Sequence, residues 1–468
     1  MTDTVIDDRD IESSGIRRRT GRVLFLAYHF PPIGGGGVQR NAKFVRYLHE
    51  HGWDPIVLTG PGGATDRWTP EDETLHADVP PGTVVCRVPG PEPELSSGWR
   101  SRLERGLQLP SPFTRWWTER SVAAARALED EVDAIFGSLV PYDCAEAAMR
   151  ISQALGKPWV ADLQDPWALD EMWVYPTTAH RVRDRARMRR FLGSAATIVM
   201  NTPESARRTQ VAFPELAERT CWIPNGFDPA DLDVPAAPRT REKFRIVHTG
   251  YFHTDVGMRL RATRRYRRVV GGALGGVDIA TRSPLYLLEA IERLIADDPT
   301  LESTIEVVCA GVLSSVDREL LARYRFVSTP GYVSHHDGVA LVRSADLVFL
   351  PMHDLPQGSP AGIVPGKTYE YLGSGRPILA AVPDGDAADL LAAAGTAFLA
   401  RPTDVDAIAG IIARQIAAVR AGTPDPVARP DVLAPFERRS QAGDLARVLD
   451  AAAEGRRPPA PRSWPRAA

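Results

Sequence analysis

Short apolar runs alternate with helix-length amphipathic segments along most of this chain, and the alternation stops and starts again in the middle. The first series opens with Arg22-Val-Leu-Phe-Leu-Ala-Tyr28, which halts at His29-Phe-Pro-Pro-Ile-Gly-Gly-Gly-Gly37 before a helical pattern through Val38, Phe44, Val45 and Leu48. Gly52 stops that helix, and residues 54–59 read as the second parallel strand of a strand–helix–strand unit. Further strands are expected at 83–88, 134–136, 159–163 and 197–200. A second series begins with Phe244-Arg-Ile-Val-His-Thr-Gly250 and continues through a helix at 284–295 and strands at 305–309 and 347–350. It ends with a helix from about Thr368 and a strand at 377–382. An α/β chain with this rhythm is expected to form two doubly wound, Rossmann-like domains.

The length agrees, because 468 residues exceed the roughly 250–300 at which a single core stops growing. The expected division is a disordered tail at 1–20, a first domain at 21–235, a second at 236–430, a helix at 431–455 crossing back to the first domain, and a proline-rich disordered tail at 456–468. The Asp/Pro/Ala-rich stretch after Pro224-Asn-Gly-Phe-Asp-Pro229, to about Arg239, is the expected linker. With 56 Lys and Arg against 59 Asp and Glu, nothing in the overall charge suggests nucleic acid as a partner. The four cysteines are scattered without a C-x-x-C pair, which fits a reducing cytoplasm. The acidic, polar N-terminus lacks the apolar stretch of a secretory signal. No apolar run reaches the ~18–20 residues that span a bilayer, so any membrane contact, at the inner face, would be peripheral.

Two segments carry chemistry. Gly34-Gly-Gly-Gly37 stands between a first strand and a helix, where backbone amides and the helix dipole can hold a phosphate; a plain flexible turn is the other reading. It is not G-x-G-x-x-G, and no acidic residue ends the second strand, so a dinucleotide fingerprint is absent. The second segment is Gly358-Ser-Pro-Ala-Gly-Ile-Val-Pro-Gly-Lys-Thr-Tyr-Glu-Tyr-Leu-Gly-Ser-Gly-Arg-Pro-Ile-Leu379. It sets Lys367 and Glu370 on one face of a helix after a Pro-Gly turn. Such a cation can meet a diphosphate while the carboxylate accepts two hydrogen bonds from a ribose diol; an exposed ion pair has the same spacing.

This second segment resembles the donor-binding motif of the retaining glycosyltransferases of family 4, in the branch whose pattern is Pro-x-Lys-x-x-Glu-Tyr-Leu-x-x-Gly-x-Pro-Ile. Four other landmarks are similar in order and spacing: Phe30-Pro-Pro with the glycines, Asp162-Leu-Gln-Asp-Pro-Trp167, Ile223-Pro-Asn-Gly-Phe-Asp228, and Gly331-Tyr-Val-Ser-His-His336 followed by Ser344-Ala-Asp346. The resemblance covers roughly residues 20 to 450 and implies the GT-B architecture, with two domains facing across a cleft. It further implies that Glu370 binds the donor ribose, that Lys367 and Arg282 neutralise the diphosphate, and that Gly36 and Gly37, with Gly250 opposite, border the donor. One departure stands out. Many relatives carry a second glutamate eight positions before the conserved one, and here that position is Gly362, so the sugar cannot be inferred from the resemblance.

Asp165, after the apolar run ending at Leu163, is expected at a strand's carboxyl end on the acceptor side, or as a helix cap; Asp162 reads as structural. Ser138 stands where relatives often have a histidine, which leaves the general base unassigned. His29 is a further acceptor-side candidate. No ligand-type spacing joins His29, His335 and His336, and no D-x-D follows a strand, so neither a metal nor a cofactor is expected. Arginine-rich segments at 181–190 and 259–268 read either as a hold on anionic lipid or as solvated faces. Trp99, Phe113, Trp116 and Trp117, interleaved with arginines, read as interfacial or as core. Residues 256–280 match no family element.

The resemblance implies transfer from a UDP, GDP or dTDP sugar to an acceptor hydroxyl with retention, Lys367 and Arg282 acting at the leaving group; Asp165 is a catalytic candidate by its place at the strand's end. Polysaccharide or lipid-linked glycan assembly is the first expectation, and glycosylation of a small natural product the second. A nucleotide-sugar 2-epimerase and a non-catalytic nucleotide-sugar-binding subunit are the rivals.

Overall fold

The computed structural model describes residues 21–63, 70–90, 92–93, 109–240, 242–263, 266, 270–272 and 275–466. Seven parallel strands form the first sheet in the order β3-β2-β1-β4-β5-β6-β7. They are β1 Gly21–Leu26, β2 Trp53–Thr59, β3 Val84–Arg87, β4 Ala134–Ser138, β5 Trp159–Leu163, β6 Thr197–Met200 and β7 Thr220–Trp222. Six more form the second sheet in the order β10-β9-β8-β11-β12-β13. These are β8 Phe244–Thr249, β9 Ile305–Ala310, β10 Val327–Gly331, β11 Leu347–Pro351, β12 Ile378–Ala381 and β13 Ala397–Ala400. In each sheet the order reverses beside the first strand, between β1 and β4 and between β8 and β11. Open sheets bind ligands outside the carboxyl ends of the strands at such a reversal, and the described strands bring the two reversals to one cleft.

The central strands read as apolar runs because helices cover both of their faces. All five residues of β4, β5 and β11 are buried. Helix ends follow local chemistry. Gly52 closes the turn after helix Gly36–Leu48 with φ 82°, a left-handed value that costs glycine nothing. Ser334 caps helix His335–Arg343 by accepting from Asp337 N–H.

The last long helix, Arg438–Ala453, leaves the second domain and packs against helix Gly36–Leu48 and the first sheet. Leu445, Val448 and Leu449 share a core with Phe25, Phe44 and Trp53, and Trp53 Nε1 donates to Asp450 Oδ1 at 3.0 Å. It begins at Arg438 rather than at 431, because Pro435 and the extended Glu437 break the pattern; Val432 and Phe436 still belong to the second domain's core. Lys43 ties the first domain to the start of the connecting segment, buried with its ammonium 2.7, 2.9 and 2.6 Å from Asp78, Asp228 and Asp231.

The proline-rich end, expected to be disordered, lies against the protein as far as residue 466. Trp464 puts its ring 5.4 Å from both Trp222 and Phe436 and donates from Nε1 to Asp386 O at 3.1 Å. Prolines hold the chain extended, and the one large aromatic anchors it. Trp464→Ala should lower stability by about 1–2 kcal/mol, less than a fully buried aromatic would, and this would appear as a lower urea midpoint. No change in the midpoint would mean that the tail contributes nothing.

The arginines at 181–190 turn largely to the protein itself. Arg181 donates to Trp173 O and Gly272 O, Arg185 to Ala212 O, and Arg187 and Arg189 pair with Asp143 and Glu215. Trp117 is fully buried, with Phe113 and Trp116 packed on the same core. Trp99, its neighbouring arginines, and Arg264, Arg265, Arg267 and Arg268 lie outside the described residues. Among the described residues no helix is long and apolar enough to cross a membrane.

Candidate functional site

The cleft between the sheets is lined on one side by Gly35, Gly36 and Gln39 of the first domain. Opposite stand the carboxyl ends of β8 and β9, the turn after β10, and the start of helix Lys367–Gly373. Two glycines let backbone and side chain crowd there. Gly250 has φ 107°, and a Cβ on it would lie 2.8 Å from Lys367 Nζ. Gly311 has φ 140°, and its Cβ would fall 2.2 Å from Gly250 O. Neither position tolerates a side chain, and the backbone comes to the cleft surface as a result.

Lys367 opens its helix and reaches back to His248, with Nζ 3.1 Å from Nε2. His248 Nδ1 lies 2.9 Å from Phe349 O, which makes Nδ1 the donor and leaves Nε2 to accept from the ammonium. Burial and the Lys367 charge hold the His248 pKa well below that of a free imidazole. Burial, then the neighbouring Arg282 guanidinium, depress Lys367 to about 7. Two cations brought near each other in a cleft favour the approach of an anion.

One turn along, Glu370 Oε1 lies 3.0 Å from His335 Nε2. Burial alone would discharge this pair. Their mutual attraction wins, raising His335 to about 9 and lowering Glu370. His335 N–H donates to Asp72 Oδ2 at 2.8 Å, and Asp72 belongs to the first domain, so the pair sits where the domains meet. Arg438 of the crossing helix also lines the cleft, buried and lowered to about 10 by desolvation and by Arg40.

Arg282 enters the cleft from the turn before helix Leu285–Asp297, its NH1 3.4 Å from Met172 Sδ of the first domain. Asp165 lies just beyond β5, solvent-accessible yet walled by protein. Burial raises its pKa, Arg282 opposes the rise, and Glu171 adds to it. Asp170 is pushed to about 8 by burial and by the charges of Asp165 and Glu171. Asp162 lies inside, fully buried and paired with Arg40.

Other expected residues fall differently. Gly36 is exposed, with open space where a Cβ would be, whereas Gly37 backs onto Gln164, whose Oε1 would be 2.8 Å from a Cβ. Ser138, expected on the acceptor side, is fully buried at the end of β4, with Oγ 3.5 Å from Gln164 Nε2. His29 is half-buried against Tyr28, their rings 4.9 Å apart. Among the described residues no group of three or more His, Cys, Asp or Glu is placed to hold a metal ion.

The Gly362 position has a structural explanation. Its N–H donates to Glu171 Oε1 at 2.9 Å, and a Cβ there would meet Arg208 NH1 at 2.9 Å. Glu171 is buried, its other contacts being Arg208 and His353 Nε2 at 3.1 Å. The carboxylate beside Gly362 thus comes from the first domain. Arg438, Asp170, Glu171 and Arg208 were not expected from the sequence, in which His335 reads only as a satisfied or exposed histidine; Glu171 meets Arg208 and Gly362 from 37 and 191 residues away, and only the Gly362 departure hinted at a change there.

No protein-family model matches the chain, and no curated protein matches it. Solved structures do. HepE from Anabaena, in complex with UDP and glucose, is similar over 93% of this chain and 97% of its own, with a TM-score of 0.51 at 16% identity. The sucrose-phosphate synthase of Thermosynechococcus elongatus matches over 93% and 96%, with a TM-score of 0.53 at 14% identity. A glycosyltransferase from Rickettsia africae matches over 93% and 99%, with a TM-score of 0.55 at 12% identity. The fold is thus GT-B, two Rossmann-like domains of seven and six parallel strands facing across a cleft.

Proposed function

We propose that this chain is a glycosyltransferase that moves a sugar from a nucleotide-sugar donor to an acceptor hydroxyl with retention of configuration, in polysaccharide or lipid-linked glycan assembly. The observation that carries the reading is the meeting of Lys367 and Arg282 at the glycine-walled end of the cleft, one helical turn from Glu370. A diphosphate supplies the negative charge that the two cations lack, and a ribose diol supplies donors for Glu370. The HepE structure, which contains UDP and glucose, lends support.

In this reading the nucleoside lies toward Glu370 and His335 and the sugar toward Arg282 and Asp165. The acceptor hydroxyl attacks from the face of the leaving group, and its proton passes to a diphosphate oxygen. Lys367 and Arg282 hold the charge that grows on the departing nucleotide, a role worth about 3–4 kcal/mol for one well-placed group. Asp165 orients the acceptor.

The test is a thermal-shift panel of UDP, GDP, dTDP and ADP sugars on the wild type and on Glu370→Ala. One base family should raise the melting temperature of the wild type. The variant should bind that nucleotide roughly 10- to 100-fold more weakly, having lost two charge-assisted hydrogen bonds. Unchanged affinity in a folded variant would remove Glu370 from the site, and no shift with any sugar nucleotide would remove the donor reading.

A further inference from the structure

Beyond Arg282 lies a second, larger cavity of about 940 Å³, near the upper end of the range for small-molecule sites. Its lining includes Glu171 of the first domain and Leu260, Arg261, Tyr286, Gln357 and Arg401 of the second. Leu260 and Arg261 belong to the segment 256–280 that has no family counterpart.

The cavity adjoins the donor cleft. Arg282 NH1 contacts Met172 Sδ at 3.4 Å, and Arg282 N–H donates to Ile279 O at 3.0 Å. Glu171, next to Met172, and Ile279 both line the cavity, so the Arg282–Met172 contact stands between the two spaces.

The chemistry of its wall is specific. Arg261 grips both oxygens of Asp278, at 3.1 and 2.7 Å, and donates to the Tyr286 hydroxyl at 2.8 Å. Arg401 holds Asp354 Oδ1 at 2.6 Å. The two aspartates are joined backbone to backbone, Asp278 N to Asp354 O at 2.9 Å and the reverse at 3.0 Å. The result is a short lattice in which cations and carboxylates alternate. The carboxylate on each arginine offsets the charge that would otherwise draw a phosphate to this wall. A hydroxyl can accept from the guanidinium and donate to the carboxylate while both pairs persist. Leu260 and Val277 offer apolar surface for the C–H faces of a ring.

We propose that this cavity is the acceptor site and that it takes an uncharged saccharide, held by the Arg261–Asp278 and Arg401–Asp354 pairs with its reacting hydroxyl toward Arg282. This rests on the glycosyltransferase reading for its role, though not for its ligand class. The cavity-facing part of 256–280 then fixes acceptor choice.

Saturation-transfer NMR on the full chain, with p-nitrophenyl glucoside, galactoside, mannoside and N-acetylglucosaminide, tests it against farnesyl diphosphate as an anionic lipid probe. At least one neutral glycoside should bind the wild type and lose tenfold or more in affinity in Leu260→Trp and in Gln357→Trp. The second position is exposed, which protects the test against a folding failure. Sugar-nucleotide thermal shifts should persist in both variants. Glycoside binding that neither variant weakens, no glycoside binding, or farnesyl diphosphate binding that both variants abolish would overturn the proposal. Glycoside binding lost in the variants without any sugar-nucleotide shift in the wild type would instead sink the transferase reading and leave a saccharide site standing.

Discussion

Replacing Lys367 with methionine is expected to raise the melting temperature by a few degrees while weakening diphosphate-nucleotide binding roughly 30- to 100-fold. Both effects have one origin. The ammonium is held beside Arg282 in a cleft that disfavours its charge, and its pKa is depressed to about 7. In the unfolded chain the same group titrates near 10.4. Between these values the unfolded state binds more protons, so stability rises with pH across that window as the folded form sheds the proton that penalises it. Below about pH 7 the penalty is present in full. Methionine removes it at every pH, and the rise in stability between pH 7 and 10 should flatten in the variant. Binding runs the other way, because a diphosphate needs the ammonium charged. Wild-type affinity for UDP, or for whichever nucleotide the panel selects, should fall as pH climbs above 7. Calorimetry in buffers of different ionisation enthalpy should show proton uptake on binding. A variant no more stable than the wild type, with affinity intact, would show that Lys367 is an ordinary surface lysine.

The contrast between Lys367 and its partners marks what the sequence could disclose. Lys367 and Glu370 are three residues apart on one helix, so their common face follows from helical geometry alone. His335 is 35 residues from Glu370, and Glu171 is 191 from Gly362; no local period links them. The same division runs through the fold. Strands buried on both faces, such as β4, β5 and β11, stand out as apolar runs, and their existence was legible. β7, β10 and β13 were not expected. All three lie at sheet edges; β10 carries Ser328, Thr329 and Pro330 with its middle residues exposed, and β7 is three residues long. Composition misled once, at the proline-rich end, where a single tryptophan outweighs the polar residues around it. Ser138 misled for a different reason: a position at the carboxyl end of a strand faces the cleft only if nothing covers it, and Gln164 does.

The other large effect concerns what keeps the cleft in shape. Arg40 is fully buried and makes a two-point pair with Asp162, Nε to Oδ2 at 3.1 Å and NH2 to Oδ1 at 2.7 Å. It also donates to Ile223 O at 3.0 Å and Pro224 O at 2.6 Å, the first residues after β7 on the way to the second domain. Its guanidinium carbon sits 4.7 Å over the Phe44 ring. Arg40→Met keeps the bulk but leaves the Asp162 carboxylate buried without its cation, a change that costs about 3–5 kcal/mol. Asp162→Leu alone strands the guanidinium and should cost a similar amount. In the double variant no buried charge is left unpaired, so stability should recover by at least half of the summed losses. Recovery should stop short of complete, since the carbonyls of Ile223 and Pro224 have still lost their donor. Urea unfolding of the four proteins gives the coupling energy directly; single variants within about 1 kcal/mol of the wild type, or losses that simply add, would deny the pair this role. Because those two carbonyls begin the connection between the domains, the double variant also separates stability from geometry. If it folds well yet binds the nucleotide several-fold more weakly than the wild type, Arg40 positions the second domain through the linker, and the buried pair serves the cleft as well as the core.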